Sequence, residues 1–412
     1  MISIIKKLGP GLLYAAAAIG VSHLVQSTRA GAQFGYELVW VVVLANIIKY
    51  PFFKIGPLYT SLTGKSLLVG YKKIGPWVIP LFIVITLSTM FIVQAAVTVV
   101  TAGLLINLTG LNIDIAYVSI ILLIFCATLL FFGRYNILDN LIKVIVIVLT
   151  ITTISSVIFS FSYTPQITGN LNTFDFSVDA HVFFIIALIG WMPAPMDIPV
   201  WHSLWSVAKN VEQKEITSVK DSMIDFKVGY LTTAILAICF LLLGAFIMYP
   251  TGQTFSSGAT TFASELIGLY TKSLGAWSYP IIAIAAFTTM FSTTIACLDA
   301  FSRIMRESVY VIKEDERFTA MKYYNFWLMI TILGASIILL FLLTSMKSLV
   351  DLATTLSFVV APIYAYFNYK INNSDEIPKI YKFKGLERLI AIFGMIFFTV
   401  FTIYFLTVKF IL

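Results

Sequence analysis

The chain has 412 residues, 59% of them hydrophobic and 11% charged, with 27 basic against 20 acidic side chains and a formal net charge of +7. Soluble domains carry roughly 45–50% apolar and about 25% charged residues, so a soluble fold is excluded. The apolar residues run in non-alternating blocks of about 20, enough to cross a hydrocarbon core of ~30 Å as helices. A transmembrane barrel needs alternating segments of about ten residues and is excluded as well.

In chain order the apolar blocks predict helical spans over 10–34, 36–58, 77–106, 114–132, 138–162, 181–206, 227–250, 276–302, 325–345, 349–369 and 387–410. Lys6 and Lys7 ahead of an Ala-rich stretch resemble the start of a signal peptide, but spans follow almost continuously and the stretch reads as the first of them. The longest connections fall near 207–226, 251–275 and 303–324, so the chain is one transmembrane domain over 1–412. With a cytoplasmic N-terminus, all basic residues but Arg29, Lys272, Lys347 and Lys409 lie on inner segments or their flanks, with Lys49 and Lys54 counted there. The positive-inside rule explains that skew. The basic balance therefore reports topology in a bacterial-type plasma membrane, with the C-terminus external, and calls for no nucleic-acid partner. Cys126, Cys239 and Cys297 lie inside apolar runs without metal-knuckle spacing and read as packing residues. No phosphate-binding loop or catalytic triad spacing is present, which argues against an ATP-driven pump or an enzyme. No cofactor is expected.

Two spans carry breaks. The first is interrupted at Gly20-Val21-Ser22-His23. The sixth holds Met192-Pro193-Ala194-Pro195-Met196-Asp197-Ile198-Pro199, three prolines in eight residues, each removing a backbone donor and clashing with the preceding turn. Backbone freed at membrane depth is tolerated only where protein or a water-filled cavity satisfies it, so an interrupted span implies a site. Spans one and six stand five apart, the spacing of two inverted five-helix repeats, about 9–163 and 181–370, with 387–410 as an additional helix.

Gly9-Pro10-Gly11, Ala30-Gly31-Ala32-Gln33-Phe34-Gly35-Tyr36, Trp40 to Asn46 and Trp201-His202-Ser203 together resemble the Nramp family of divalent-metal transporters, over most of the chain. The resemblance implies an all-α, leucine-transporter-like fold with helices 1 and 6 broken, and exchange of divalent transition metals with protons. It also locates departures. The family's metal-binding aspartate falls on Gly20 and its asparagine on His23. Its helix-six methionine falls either at Met192 or near Asp197. Its two proton-relay acids fall on Gln94 and Val97, and Asn325 to Met329 lacks the arginine pair of its ninth helix.

The substrate site is therefore expected at Gly20, Val21, Ser22, His23, Met192, Pro193, Ala194, Pro195, Met196 and Asp197, with His23 and Asp197 as the candidate metal ligands and Gln94 and His202 as proton or outer groups. A buried +2 charge is normally offset by an anion, and Asp197 is the one acid near either break. Manganese and iron are expected to bind weakly, whereas magnesium keeps several waters and asks for few direct ligands. The alternative is a small anion or neutral solute, with free N–H groups near His23 and Leu24 at the start of the second half-helix; a further alternative is an uncoupled, channel-like protein. His23 reads either as a substrate group or as a structural histidine, His202 as a proton relay or as packing, and Asp197 as a site residue or as a helix cap. Arg29 is expected to pair with Glu37 or with lipid headgroups. Asp139, Asp225, Asp299 and Asp351 are expected to form caps or ion pairs.

Overall fold

In the computed structural model the described residues are 9–132, 135–161 and 171–410. Lys6, Lys7, Arg134 and the side chains of Asp139 and Lys143 lie outside them. No β-strand occurs among the described residues, and each apolar block becomes helix. Span 1 starts at Pro10, runs to Ala18, and resumes as Ser22–Ser27 and Thr28–Phe34. Spans 2 to 5 are Val39–Thr63, Val78–Thr109, Ile115–Phe131 and Tyr135–Ser160. Span 6 comprises Asp179–Trp191 and Ile198–Gln213. Spans 7 to 11 are Val219–Thr251, Ala276–Lys313, Met321–Phe341, Met346–Asn373 and Gly385–Phe410.

The helices overshoot the predicted blocks where polar residues continue the helix beyond the hydrocarbon; span 8 runs on to Lys313 instead of ending at 302. Two connections are themselves helical, Leu67–Ile74 and Ala259–Leu274, the second with one apolar face buried through Phe262, Leu266 and Tyr270. Seven helices among the described residues are long and apolar enough to cross a membrane unaided by that measure. Spans 1 and 6 are not among them because their breaks divide them into halves.

Span 7 lies along both halves of span 1, span 8 along span 3, and the first half of span 6 against span 10. Small residues permit the closest crossing. A Cβ on Gly31 would stand 1.8 Å from the Leu241 carbonyl oxygen, and one on Gly244 would stand 2.2 Å from that of Thr28. Only glycine lets these two backbones meet, the usual device where no hydrophobic gradient drives helices together.

Two basic residues are not membrane-flank charges. Arg29 is buried and donates to Asp351 at 2.6 and 3.1 Å and to Gln26 at 3.0 Å, so its partner is Asp351, while Glu37 accepts from the Phe174 N–H. Lys49 is 0% exposed inside the bundle and does not belong in the flank count.

Candidate functional site

The breaks arise where local chemistry lets the backbone leave the helix. In span 1 the chain turns at Ile19 and Gly20, whose added Cβ would stand 2.7 Å from the Thr293 hydroxyl of span 8. Carbonyls at the break find side-chain donors: Ser22 Oγ donates at 2.6 Å to Ala18 O, which also accepts from the Gly20 N–H at 2.9 Å, and Thr293 Oγ1 donates to Ala16 O at 3.1 Å. The chain resumes as a π-helical stretch over Ser22–Ser27, a wide turn frequent at functional sites.

In span 6 the helix ends at Trp191, the Met192–Pro193 bond is cis, and regular helix returns at Ile198. Trp191 Nε1 donates to Ser357 at 2.7 Å, fixing the end of the first half against span 10. Carbonyls at this break take a partner from span 2. Lys49 Nζ donates to Ile189 O at 2.6 Å, Gly190 O at 3.0 Å and Ala194 O at 2.9 Å, using all three ammonium N–H groups. A cation at a helix C-terminus is favourable by up to about 2 kcal/mol in partly buried settings, while stripping an ammonium of water costs several. Asp197, three residues past Ala194, is the acid of this break. Sequence reasoning missed this lysine because positive-inside counting assigns it to a membrane flank; the signal available was its place inside an apolar run, three residues after Asn46.

The breaks lie against one another. Ser22 Oγ is 3.4 Å from Pro193 O, and Val21, Ser22, Ala194 and Pro195 share a cavity of about 20 Å³ with Thr293 and Cys297 of span 8, roomy enough for about one water. Val93 and Val97 of span 3 and the two indoles Trp191 and Trp201 complete much of its wall. An adjoining cavity of about 10 Å³ is lined by Pro195, Met196 and Asp197 with Thr89, Val93, Ser357, Val360 and Tyr364. Asp197 accepts from Trp201 Nε1 at 3.2 Å, whereas its Oδ1 is buried without a partner, and its side chain makes no helix-capping bond.

The remaining candidates lie around these cavities. His23 faces span 7: Nε2 is 2.9 Å from Thr233 O and Nδ1 is 2.7 Å from Ser22 Oγ, with Phe240 edge-on at 6.4 Å. Because a carbonyl only accepts, Nε2 carries a proton and donates to Thr233 O. His202 stacks on Tyr14 at 6.0 Å in an aromatic group with Phe226. Gln94 Nε2 donates to Thr98 Oγ1 and to Thr294 O, both at 3.3 Å, while its Oε1 is buried without a partner. Gly20 packs on Thr293, and Met192 is fully buried. No cluster of three or more His, Cys, Asp or Glu side chains suited to a metal occurs among the described residues. The N–H groups of His23 and Leu24, on which an anion site depended, both donate to Gly20 O, at 3.1 and 2.9 Å.

Two discontinuous helices meeting at a cavity inside a multi-pass bundle define the leucine-transporter-like class of membrane transporter. The family profile described as natural resistance-associated macrophage protein-like matches residues 11–408, and the chain belongs to that family, Nramp. It is a multi-pass membrane transporter and not an enzyme. An uncharacterized protein of Pasteurella multocida is 34% identical, the match spanning 97% of this chain and 91% of that one. The divalent metal cation transporter MntH of Verminephrobacter eiseniae is 34% identical over 59 residues, 14% of this chain and 13% of its own. Among solved structures, the manganese transporter of Eremococcus coleocola in complex with an aromatic bis-isothiourea compound superposes with TM-score 0.65 at 13% identity, covering 97% of this chain and 86% of that one. A histidine-to-alanine variant of it gives TM-score 0.69 at 12% identity, with the same coverage.

Proposed function

We propose that the chain is a secondary transporter carrying a small ion through the cavity between Gly20–His23 and Met192–Asp197, with a divalent cation as the substrate class and manganese and iron as poor substrates. Family membership and the solved manganese transporters support the cation. One observation carries the poor fit to manganese and iron: the cavity shared by both breaks offers Ser22, Thr293 and Cys297 as its side-chain oxygen and sulfur donors, and no carboxylate or imidazole. A dehydrated +2 ion there would have no anion among its direct ligands, since Asp197 lines only the adjoining cavity. A cation that keeps much of its water, as magnesium does, asks less of these walls. In this reading the repeats are about 9–163 and 181–370, and the N-terminus is cytoplasmic. With Lys49 and Arg29 set aside as internal, the remaining basic residues keep the same bias.

Uptake into proteoliposomes is the test, with manganese, magnesium, calcium and small anions compared side by side. Magnesium or calcium flux should exceed manganese flux, and counterflow should reveal exchange. Saturable manganese uptake at micromolar concentration would overturn the metal preference, and conduction without counterflow would overturn the transporter mechanism. Impermeant thiol labelling of single cysteines introduced at Lys313 and Lys409 reads the orientation: 409 should label from outside and 313 only after lysis.

A further inference from the structure

Lys49 occupies a place that backbone chemistry prepares for a cation. The first half of span 6 ends at Trp191, so Gly190 presents a last-turn carbonyl free of the helix ladder, Ile189 O keeps only the 3.1 Å bond from the Met192 N–H, and the proline-rich break turns Ala194 O toward the same point. Three carbonyl oxygens converging at the negative end of a helix, with Asp197 three residues beyond Ala194, form a cation site by geometry alone. In this protein an ammonium fills it, carried on span 2 and 0% exposed.

We propose that Lys49 is a specificity-determining residue: a tethered, resident cation that fills the carbonyl site at the break of span 6 and, by its positive charge beside the cavity, lowers the site's affinity for multivalent cations. The inference rests on the reading of the cavity as the substrate site and adds what sets its preference. Ala194 supplies the link, since its carbonyl binds the ammonium while the residue also lines the cavity shared by both breaks. An ion in that cavity sits beside a fixed charge that water cannot screen, where repulsion between positive charges is far stronger than in solution. The ammonium also balances Asp197, leaving the pair neutral and the region without net attraction for a cation. Distances add a selectivity. The carbonyl oxygens stand 2.6–3.0 Å from Nζ, from the upper end of the ~2.3–2.6 Å range of calcium–oxygen contacts outward and much wider than the ~2.0–2.1 Å of magnesium. A vacated site would close onto calcium with less movement than onto magnesium.

The test is calorimetric titration of the purified full chain with calcium and with magnesium. Lys49→Met removes the charge and keeps most of the side-chain volume; Lys49→Gln removes the charge and keeps an N–H donor for the carbonyls. Both should bind calcium at least about tenfold more tightly than the wild type, with a smaller gain for magnesium. Lys49→Arg, which keeps the charge, should show no gain. The gain should vanish in Lys49→Met/Asp197→Asn, because the anion left exposed by the first change is removed by the second. Folded, monodisperse neutral variants with unchanged or weaker calcium binding would overturn the proposal. So would failure of both neutral variants to fold while Lys49→Arg folds, since the ammonium would then be a structural pin. Tight manganese binding by the wild type would overturn the proposed metal preference, whereas the comparison at position 49 decides the role of Lys49 separately.

Discussion

Asp351 accepts both arms of the Arg29 guanidinium and also the Gln26 amide at 3.2 Å, tying the second half of span 1 to span 10. The arginine side chain is 6% exposed and the carboxylate 34%, so water can reach one partner and hardly the other. Asp351→Asn leaves the charged fork with amide acceptors only, and a hydrogen bond to a charged group contributes about 1.5–3 kcal/mol. The expected outcome is a melting temperature in detergent lower by several degrees, with Arg29→Lys intermediate because an ammonium keeps the charge but not the planar fork. Unchanged melting in both variants would show that the pair contributes nothing to closure. Arg29 also marks what residue-level reading can reach. Its polarity inside an apolar span announced a partner, but the true partner lies 322 residues away, and spacing along the chain carries no information at that range. Lys49 is the same lesson with a different sign: composition recorded its charge, and only packing revealed that backbone carbonyls hold it.

Helix ends followed their punctuation closely at the scale of elements. Three prolines forbade a continuous span 6, and the break falls at Met192–Asp197, between the two halves Asp179–Trp191 and Ile198–Gln213. The interruption at Gly20 was visible from the glycine and the polar Ser22-His23 inside an apolar run, whereas the π-helical stretch Ser22–Ser27 was not, since no residue type marks the wider turn. The start of span 1 shows an element held by a distant cap. Asp225 of span 7 accepts from the Gly9 N–H at 3.1 Å and the Gly11 N–H at 2.8 Å, satisfying donors that the first turn of a helix cannot satisfy itself. Loss of a capping side chain costs roughly 0.5–2 kcal/mol. Asp225→Ala should therefore speed amide exchange over 11–18 by up to about tenfold, each tenfold being ~1.4 kcal/mol, while exchange in span 3 stays unchanged. Equal acceleration in both would mean global unfolding and would remove the assignment of Asp225 as a local cap.

Energy coupling belongs to the whole molecule, because a proton must pass from the cavity to one face through groups contributed by several spans. The family's relay would run from span 3 to span 9. In this chain Val97 lines the cavity as an alkyl wall, and Gln94 is an amide engaged by Thr98 and by the Thr294 carbonyl. Span 9 carries Asn325, Phe326, Trp327, Leu328 and Met329 where the resemblance leads one to look for arginines, and none of these side chains titrates. The substitute route through His23, Asp197 and His202 would have to cross separate environments. His23 is held between Ser22 and the Thr233 carbonyl, His202 is stacked on Tyr14, and neither lines the two cavities at the breaks. A relay needs donors and acceptors within hydrogen-bond reach, directly or through one water. We therefore expect transport with weak or absent proton coupling. Once a transported ion is identified, uptake should respond little to an imposed pH gradient, and His202→Phe, which keeps an aromatic ring against Tyr14 but removes the titrating nitrogens, should retain most activity. Substrate-driven acidification recorded by a trapped pH dye, abolished by His23→Ala or His202→Phe, would show instead that these histidines carry the proton and that the missing acids of span 3 have been replaced.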